Sequence, residues 1–298
     1  MSIHLVSAAH PLDTAAILSS LAAHAVPGAE RVDRTAGTAE RLLPIDGVNH
    51  HVALKVLPHG IEVDVAAEPN NPSKPHLESI CAVVRQWFDL DAHHEAIGDT
   101  LGDDPILGQL LNTRPWLGVV SNPHPFELAI VTVLGQQVSL AAARTFSGRL
   151  VTAMNSLDAQ AGGAHSPSGL VAFPRPEAIR DAPTEWLRAA IGITGARIRT
   201  VQAVAGAFAD GLSFDAEPQQ LRADLLSLPG IGPWTVEYLA LRGFHDPDAF
   251  PASDLVLRRA LRDFGVAAAE VSAVALAWRP FRAYATVHLW NHALPPEA

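Results

Sequence analysis

The stretch Leu228-Pro229-Gly230-Ile231-Gly232-Pro233-Trp234-Thr235 restricts this chain more than any other. Leu225, Leu226 and Leu228 give the end of one helix an apolar face, and Pro229 stops it. Gly230 and Gly232 supply a tight turn, because glycine adopts positive φ cheaply and has no side chain to block a close approach. Pro233 suits the first position of a following helix, where its missing N–H is not needed. The segment reads as two helices joined by a glycine turn. Bare N–H groups at the head of the second helix favour an anion. Two readings stand at this point: an ordinary turn between core helices, and a grip on a phosphate. A dinucleotide site is excluded, since no strand precedes the glycines and no third glycine follows in the GxGxxG register.

Downstream lies Phe250-Pro251-Ala252-Ser253-Asp254, with Asp254 standing 20 positions after Trp234. Ser253 is a good N-cap, and Leu255, Leu257, Leu261 and Phe264 are read as the apolar stripe of a helix ending at Gly265. Asp254 is then either an acid that favours the helix dipole or a carboxylate kept ionised by N–H groups to face a developing cation.

Together these segments resemble the helix-hairpin-helix DNA glycosylases, in particular the bacterial 3-methyladenine DNA glycosylase II type. The residues that carry the resemblance are the Leu-Pro-Gly-Ile-Gly-Pro-Trp-Thr turn, Arg242-Gly243-Phe244 and Phe-Pro-Ala-Ser-Asp. Leu134-Gly135-Gln136-Gln137-Val138-Ser139, read inside one helix over about 125–153, agrees with it. So do Trp278-Arg279-Pro280-Phe281-Arg282 and Tyr284 through Trp290. The likeness is strong over 112–298 and weaker over 1–111. It implies Asp254 as the catalytic acid and Trp234, Tyr238 and Trp290 as an aromatic base pocket. On residue type alone these rings read as core. It also implies DNA contacts from Gly230, Gly232, Thr235, Gln136 and Gln137. The implied activity is monofunctional excision of alkylated bases, such as 3-methyladenine and 7-methylguanine, from duplex DNA by base flipping. Glycosylase action on oxidised or deaminated bases, and a silent DNA-binding module, remain alternatives. No cofactor and no metal site is expected, beyond a monovalent cation that hairpin carbonyls often hold in such proteins. Two positions depart from the family. The apolar wedge that fills the gap of the flipped base is matched by Gln137, and an aromatic of the first helix by Ser20.

The expected fold is an α+β N-terminal domain over 1–111 followed by an all-α helix-hairpin-helix body over 112–298. Val52, Leu54 and Val56 alternate with polar or small residues, as do Ile61, Val63 and Val65 after Pro58-His59-Gly60. That is a hairpin with one buried face. Helices are expected over Ala15–Ala25 and Leu77–Phe88, with loops at Pro69–Pro75 and Gln160–Gly169.

The chain of 298 residues has a net charge of −10, which argues against a generic nucleic-acid binder. The acidity is uneven. Residues 1–111 hold 6 Lys or Arg against 15 Asp or Glu, whereas residues 112–298 hold 15 Arg against 16 acids. A local basic face is possible in the second part, from Arg258, Arg259 and Arg262, or else from Arg242 or Arg282. The Arg258–Arg262 group reads equally as a solvated helix face. The single Cys81, expected in the core, excludes an internal disulfide framework and a four-cysteine iron–sulfur loop. His50, His51, His93, His94, His288 and His292 lack the Glu or Cys partners of a metal motif and read as surface or packing residues. No apolar run is long enough to span a membrane, and Met1-Ser2-Ile3-His4-Leu5 does not open a secretion signal. A cytoplasmic monomer whose partner is damaged double-stranded DNA is expected.

Overall fold

The computed structural model describes residues 3–65, 74–160 and 169–294. Five strands form one antiparallel sheet: β1 (Ile3–Ser7), β2 (Glu30–Asp33), β3 (Thr38–Ile45), β4 (Val48–Leu57) and β5 (Gly60–Val65), in the order β1-β5-β4-β3-β2. The expected β4–β5 hairpin is present, with Val56 opposite Ile61 and Leu54 opposite Val63. Its inward face packs against α1 (Thr14–His24) and α2 (Lys74–Trp87) through Ile17, Leu21, Ile80 and Val84. Three further strands went unread in the sequence. β2 has only four residues, and β3 buries Arg41 among Ala39, Leu43 and Ile45, which breaks the apolar alternation. Cys81 lies only at the margin of this core. The loops expected at 69–75 and 160–169 fall largely outside the described residues.

The remainder is helical. The elements are α3 (His94–Leu101), α4 (Leu107–Thr113), α5 (Pro125–Gly135), α6 (Leu140–Gln160), α7 (Pro176–Asp181), α8 (Thr184–Ile191) and α9 (Gly195–Ala209). Then follow α10 (Pro218–Ser227), α11 (Pro233–Arg242), α12 (Leu255–Asp263), α13 (Val271–Val274), a short 3-10 turn and α14 (Arg282–Ala293). The single helix expected over 125–153 is two. Gln137 takes φ 56°, and the Ser139 hydroxyl accepts from the Ala142 N–H to start α6, so the chain turns at Gln136–Ser139. No described helix is long and apolar enough to cross a membrane.

Two apolar cores fill the helical part, and α11 belongs to both. Val236 and Leu239 pack with α5, α9 and α10. Ala240 and Leu241 pack with α3, α4, α12 and α14, so residues 92–111 contribute to this helical core. The second helix of the glycine hairpin is thus the wall between two lobes.

Buried charge fastens the sheet to this wall. Arg41 of β3 donates to Glu127 of α5 and to Glu30 of β2, both at 2.6 Å, and Asn122 donates to the other oxygen of Glu127. Burial pushes the Glu30 carboxyl up to about 7 against the pull of Arg41. Asp13, the N-cap of α1, also accepts from Nε and Nη2 of Arg114, whose Nη1 donates to Asn291 of α14.

Glu127 is fully buried. Removing its cation leaves a buried charge unpaired, which costs about 3–5 kcal/mol. Arg41→Met should lower unfolding free energy by that amount in urea titration, with Arg31→Met on the exposed side of the sheet changing it little.

Candidate active site

The first turn of α12 is built around Asp254, not Ser253. Asp254 is the N-cap, and its Oδ1 accepts from the Leu257 N–H at 2.8 Å, whereas Ser253 is exposed. The carboxylate takes two more donors from distant elements. Trp290 Nε1 of α14 donates to Oδ1 at 3.0 Å, and Trp234 Nε1 of α11 donates to Oδ2 at 2.9 Å. Asp254 is 9% exposed and makes no ion pair among the described residues. Three neutral N–H groups hold it, so its charge is oriented without being cancelled.

The same two indoles belong to a ring wall. Trp234 stacks on Tyr238 with centroids 5.3 Å apart at 24°, and Tyr238 meets Trp290 at 5.9 Å and 47°. All three rings are partly exposed. The spacing of four residues puts Trp234 and Tyr238 on one face of α11. The expected catalytic and pocket residues, Asp254, Trp234, Tyr238 and Trp290, are therefore one cluster.

At the end of the wall stands a polar group that sequence reasoning missed. His24 of α1 approaches Tyr238 and Arg242, with Arg242 Nη1 lying 2.7 Å from His24 Nε2 and 3.2 Å from the Tyr238 hydroxyl. His24 lies four residues from Ser20, whose carbonyl takes the Nδ1 proton at 2.8 Å. Burial, helped by Arg242, lowers the imidazole to about 3, so it is neutral. Nothing local in the α1 sequence signals this pairing across 218 positions.

The hairpin is as expected in shape. Gly230 takes φ 81°, and Gly232 caps α11 ahead of Pro233. The expected DNA contacts divide. Gly230, Gly232 and Gln137 are open to solvent to different degrees, with Gln137 the exposed tip of the α5–α6 turn. Thr235 is 2% exposed and its hydroxyl accepts from the Gln136 amide at 3.1 Å, so the hydroxyl faces inward and leaves the backbone N–H as the group that could meet DNA. The same amide donates to the Gly230 carbonyl at 3.1 Å. Gln136 therefore ties the α5–α6 turn to the hairpin, and Arg197 of α9 clamps that turn through the Gln136 carbonyl at 2.6 Å.

The basic residues also sort. Arg242 is buried against His24, and Arg282 is held by both oxygens of Asp248, so neither is turned to a DNA backbone. Arg259 and Arg262 are exposed on α12, while Arg258 bonds the Ala252 carbonyl. Leu255 is not in the apolar stripe; it is 80% exposed immediately beside Asp254. Its offset of two from Leu257 places it on the other side of the helix, a signal present in the sequence. Among the described residues no group of three or more His, Cys, Asp or Glu side chains could hold a metal.

Comparison with known proteins agrees with this architecture. Residues 3–121 match the family described as AlkA N-terminal domain, and residues 130–278 match the HhH-GPD superfamily base excision DNA repair protein. The chain is 37% identical over 280 residues to a probable bifunctional transcriptional activator/DNA repair enzyme AlkA of Mycobacterium tuberculosis, covering 92% of this chain and 54% of that protein. It thus spans about half the length of that relative. DNA-3-methyladenine glycosylase 2 of Escherichia coli is 28% identical over 221 residues, 73% of each chain. The solved structure of a 3-methyladenine DNA glycosylase from Archaeoglobus fulgidus superposes with a TM-score of 0.80 at 21% identity, covering 98% of both chains. That last likeness is one of fold.

The two hairpin glycines should respond differently to a side chain. A Cβ at Gly230 would run into the Thr200 side chain at a positive φ, whereas one at Gly232 meets nothing within 4 Å. Gly230→Val should destabilise the protein by about 1–3 kcal/mol or more. Gly232→Val should leave the melting temperature within a few degrees yet weaken binding to any duplex about equally, since backbone contacts carry no sequence information. Paired melting and duplex-binding measurements on both variants test this, and loss confined to one sequence or lesion would rule out a phosphate clamp at the hairpin.

Proposed function

Because this chain belongs to the HhH-GPD superfamily of base excision DNA repair proteins and carries an AlkA N-terminal domain, we propose that it is a monofunctional DNA glycosylase that releases alkylated bases from duplex DNA. The observation that carries the reading is the Asp254 carboxylate, without an ion pair among the described residues, held against a wall of three rings. A base inside a duplex cannot be reached at its sugar bond, so the nucleotide flips out. Alkylation at a ring nitrogen makes the base cationic, which favours its departure and its stacking on aromatic faces. As the bond breaks, positive charge develops on the sugar. Asp254 stabilises that oxocarbenium-like state and orients the attacking water. Both indoles fix the carboxylate in place, so no reorganisation is needed as charge appears. The products are a free base and an abasic site.

The hairpin glycines and the exposed Gln137 tip would contact the DNA, with Gln136 joining the two loops into one surface. Among the described residues the carbonyls of Leu228 and Gly230 accept from the Ile231 N–H and the Gln136 amide, respectively, and each keeps a second lone pair. Such oxygens suit a monovalent cation beside the phosphate; it would take no part in bond cleavage. The protein would act as a monomer on chromosomal DNA in the cytoplasm.

Asp254→Asn should cut single-turnover release of 3-methyladenine and 7-methylguanine by about 10²–10³-fold, while abasic-DNA binding persists. Asparagine offers an amide N–H to one of the indole donors, so part of the loss comes from a displaced ring. Full activity in the variant would end the assignment of Asp254. A wild-type protein releasing only oxidised or deaminated bases, or none, would favour the rival readings.

Strand cleavage should be absent. A glycosylase that also cuts the strand normally forms a Schiff base through an amine. Trp234 stands at the position just after the hairpin, and the chain's lysines, Lys55 on β4 and Lys74 at the head of α2, lie outside the helical lobes. Borohydride trapping on lesion-containing duplex should yield no protein–DNA adduct, with breaks appearing only after alkali. A robust adduct would refute the monofunctional reading.

A further inference from the structure

Both indole N–H groups of the ring wall are committed to Asp254, one to each oxygen. Trp234 and Trp290 can therefore give a base their faces but no hydrogen bond. The polar atoms at the edge of the wall belong to Tyr238, Arg242 and His24.

Donors and acceptors in this trio do not balance. Neutral His24 gives its Nδ1 proton to Ser20, leaving one acceptor, the lone pair of Nε2. Two donors face it. Arg242 Nη1 lies at 2.7 Å and the Tyr238 hydroxyl at 3.4 Å. The shorter, charge-assisted contact takes the lone pair. Arg242 Nη1 also lies 3.2 Å from the Tyr238 oxygen, which accepts from it. The phenol oxygen therefore receives a guanidinium N–H, while among the described residues its own proton has only His24 Nε2 at 3.4 Å, a lone pair that Arg242 already takes. A hydroxyl polarised in this way is a stronger donor. Arg242 is 6% exposed with its Nε enclosed and unpartnered, so it acts behind the wall rather than on a base. Tyr238 is partly exposed.

We propose that the Tyr238 hydroxyl donates a hydrogen bond to the flipped base, and that this favours lesions presenting a ring carbonyl over lesions presenting an amino group at that edge. The proposal rests on the glycosylase reading above. Guanine-derived lesions offer the O6 acceptor, whereas adenine-derived lesions offer the N6 amino donor. An amino group cannot accept the hydroxyl proton, so adenine-derived lesions do not gain this bond. Because intact guanine carries the same carbonyl, Tyr238 would select among lesions rather than between damaged and undamaged bases. Discrimination against intact bases comes from the leaving group.

Tyr238→Phe removes the hydroxyl and keeps the ring. Release of 7-methylguanine and of 3-methyladenine is measured in single turnover from methylated duplex with enzyme in excess, beside abasic-DNA binding and the melting temperature. One lost hydrogen bond corresponds to roughly a tenfold effect. The expected result is a fall of about tenfold in the ratio of 7-methylguanine to 3-methyladenine release, with abasic-DNA binding unaltered. An equal fall for both bases would assign Tyr238 a stacking or structural role and overturn the proposal. No change for either would show the hydroxyl idle and overturn it as well. If the wild-type protein releases neither base, the glycosylase reading fails first and the proposal falls with it; release of both by the wild type isolates the hydroxyl as the variable under test.

Discussion

Three hydrogen bonds to one carboxylate organise the functional half of this molecule. Asp254 caps α12, and its two oxygens draw in the indoles of α11 and α14. A capping carboxylate would be satisfied by its own helix, so the two tryptophans are additional and come from elsewhere in the chain. Their effect is mutual. The carboxylate is held at one orientation, and the rings are held at one spacing with Tyr238 between them. The flipped-base site proposed above needs both: a fixed negative charge at the sugar and a flat surface for the base. One cluster of hydrogen bonds supplies them together, with no cation among the described residues paired to the charge.

That arrangement depends on α11 having two buried sides. Val236 and Leu239 face one core, and Ala240 and Leu241 the other, so the helix cannot rotate without opening one of them. Its N-terminus is set by the glycine hairpin, where Gly230 adopts positive φ against Thr200. The hairpin is in turn tied to the α5–α6 turn through Gln136, and that turn is clamped by Arg197. The two surface loops and the rings behind them are thus parts of one rigid unit. Thr235, at the join, serves this unit with its hydroxyl turned inward.

The N-terminal domain also reaches the site. Arg41 of the sheet anchors in Glu127 beneath α5, and His24 of α1 gives Arg242 its acceptor beside Tyr238. The α+β unit therefore shapes the polar end of the ring wall. The acidity of the first 111 residues lies on elements other than the hairpin, and two of these acids, Glu30 and Asp13, are paired with arginine.

Much of the local structure was legible from residue types. Pro-Gly-x-Gly-Pro dictates a helix–turn–helix whatever surrounds it, since φ preference and missing N–H groups are properties of single residues. The β4–β5 hairpin followed from strict alternation, and the gathering of Asp254 with Trp234, Tyr238 and Trp290 followed from family resemblance. Other features were decided only by tertiary contact. Arg41 in β3 masks a strand because a buried cation needs two carboxylates from other elements before it can face inward. Asp254 displaced Ser253 as the cap because two indoles position its carboxylate over the first turn of α12. The long helix expected over 125–153 breaks at Gln137, since Gln136 and Arg197 make bonds across to the hairpin and to α9 that an unbroken helix would not allow. His24 meets Arg242 across most of the chain. Propensity acts within a few residues and can be read in order along a sequence. Pairing of buried polar groups is a condition on the whole fold, met only when distant elements arrive together.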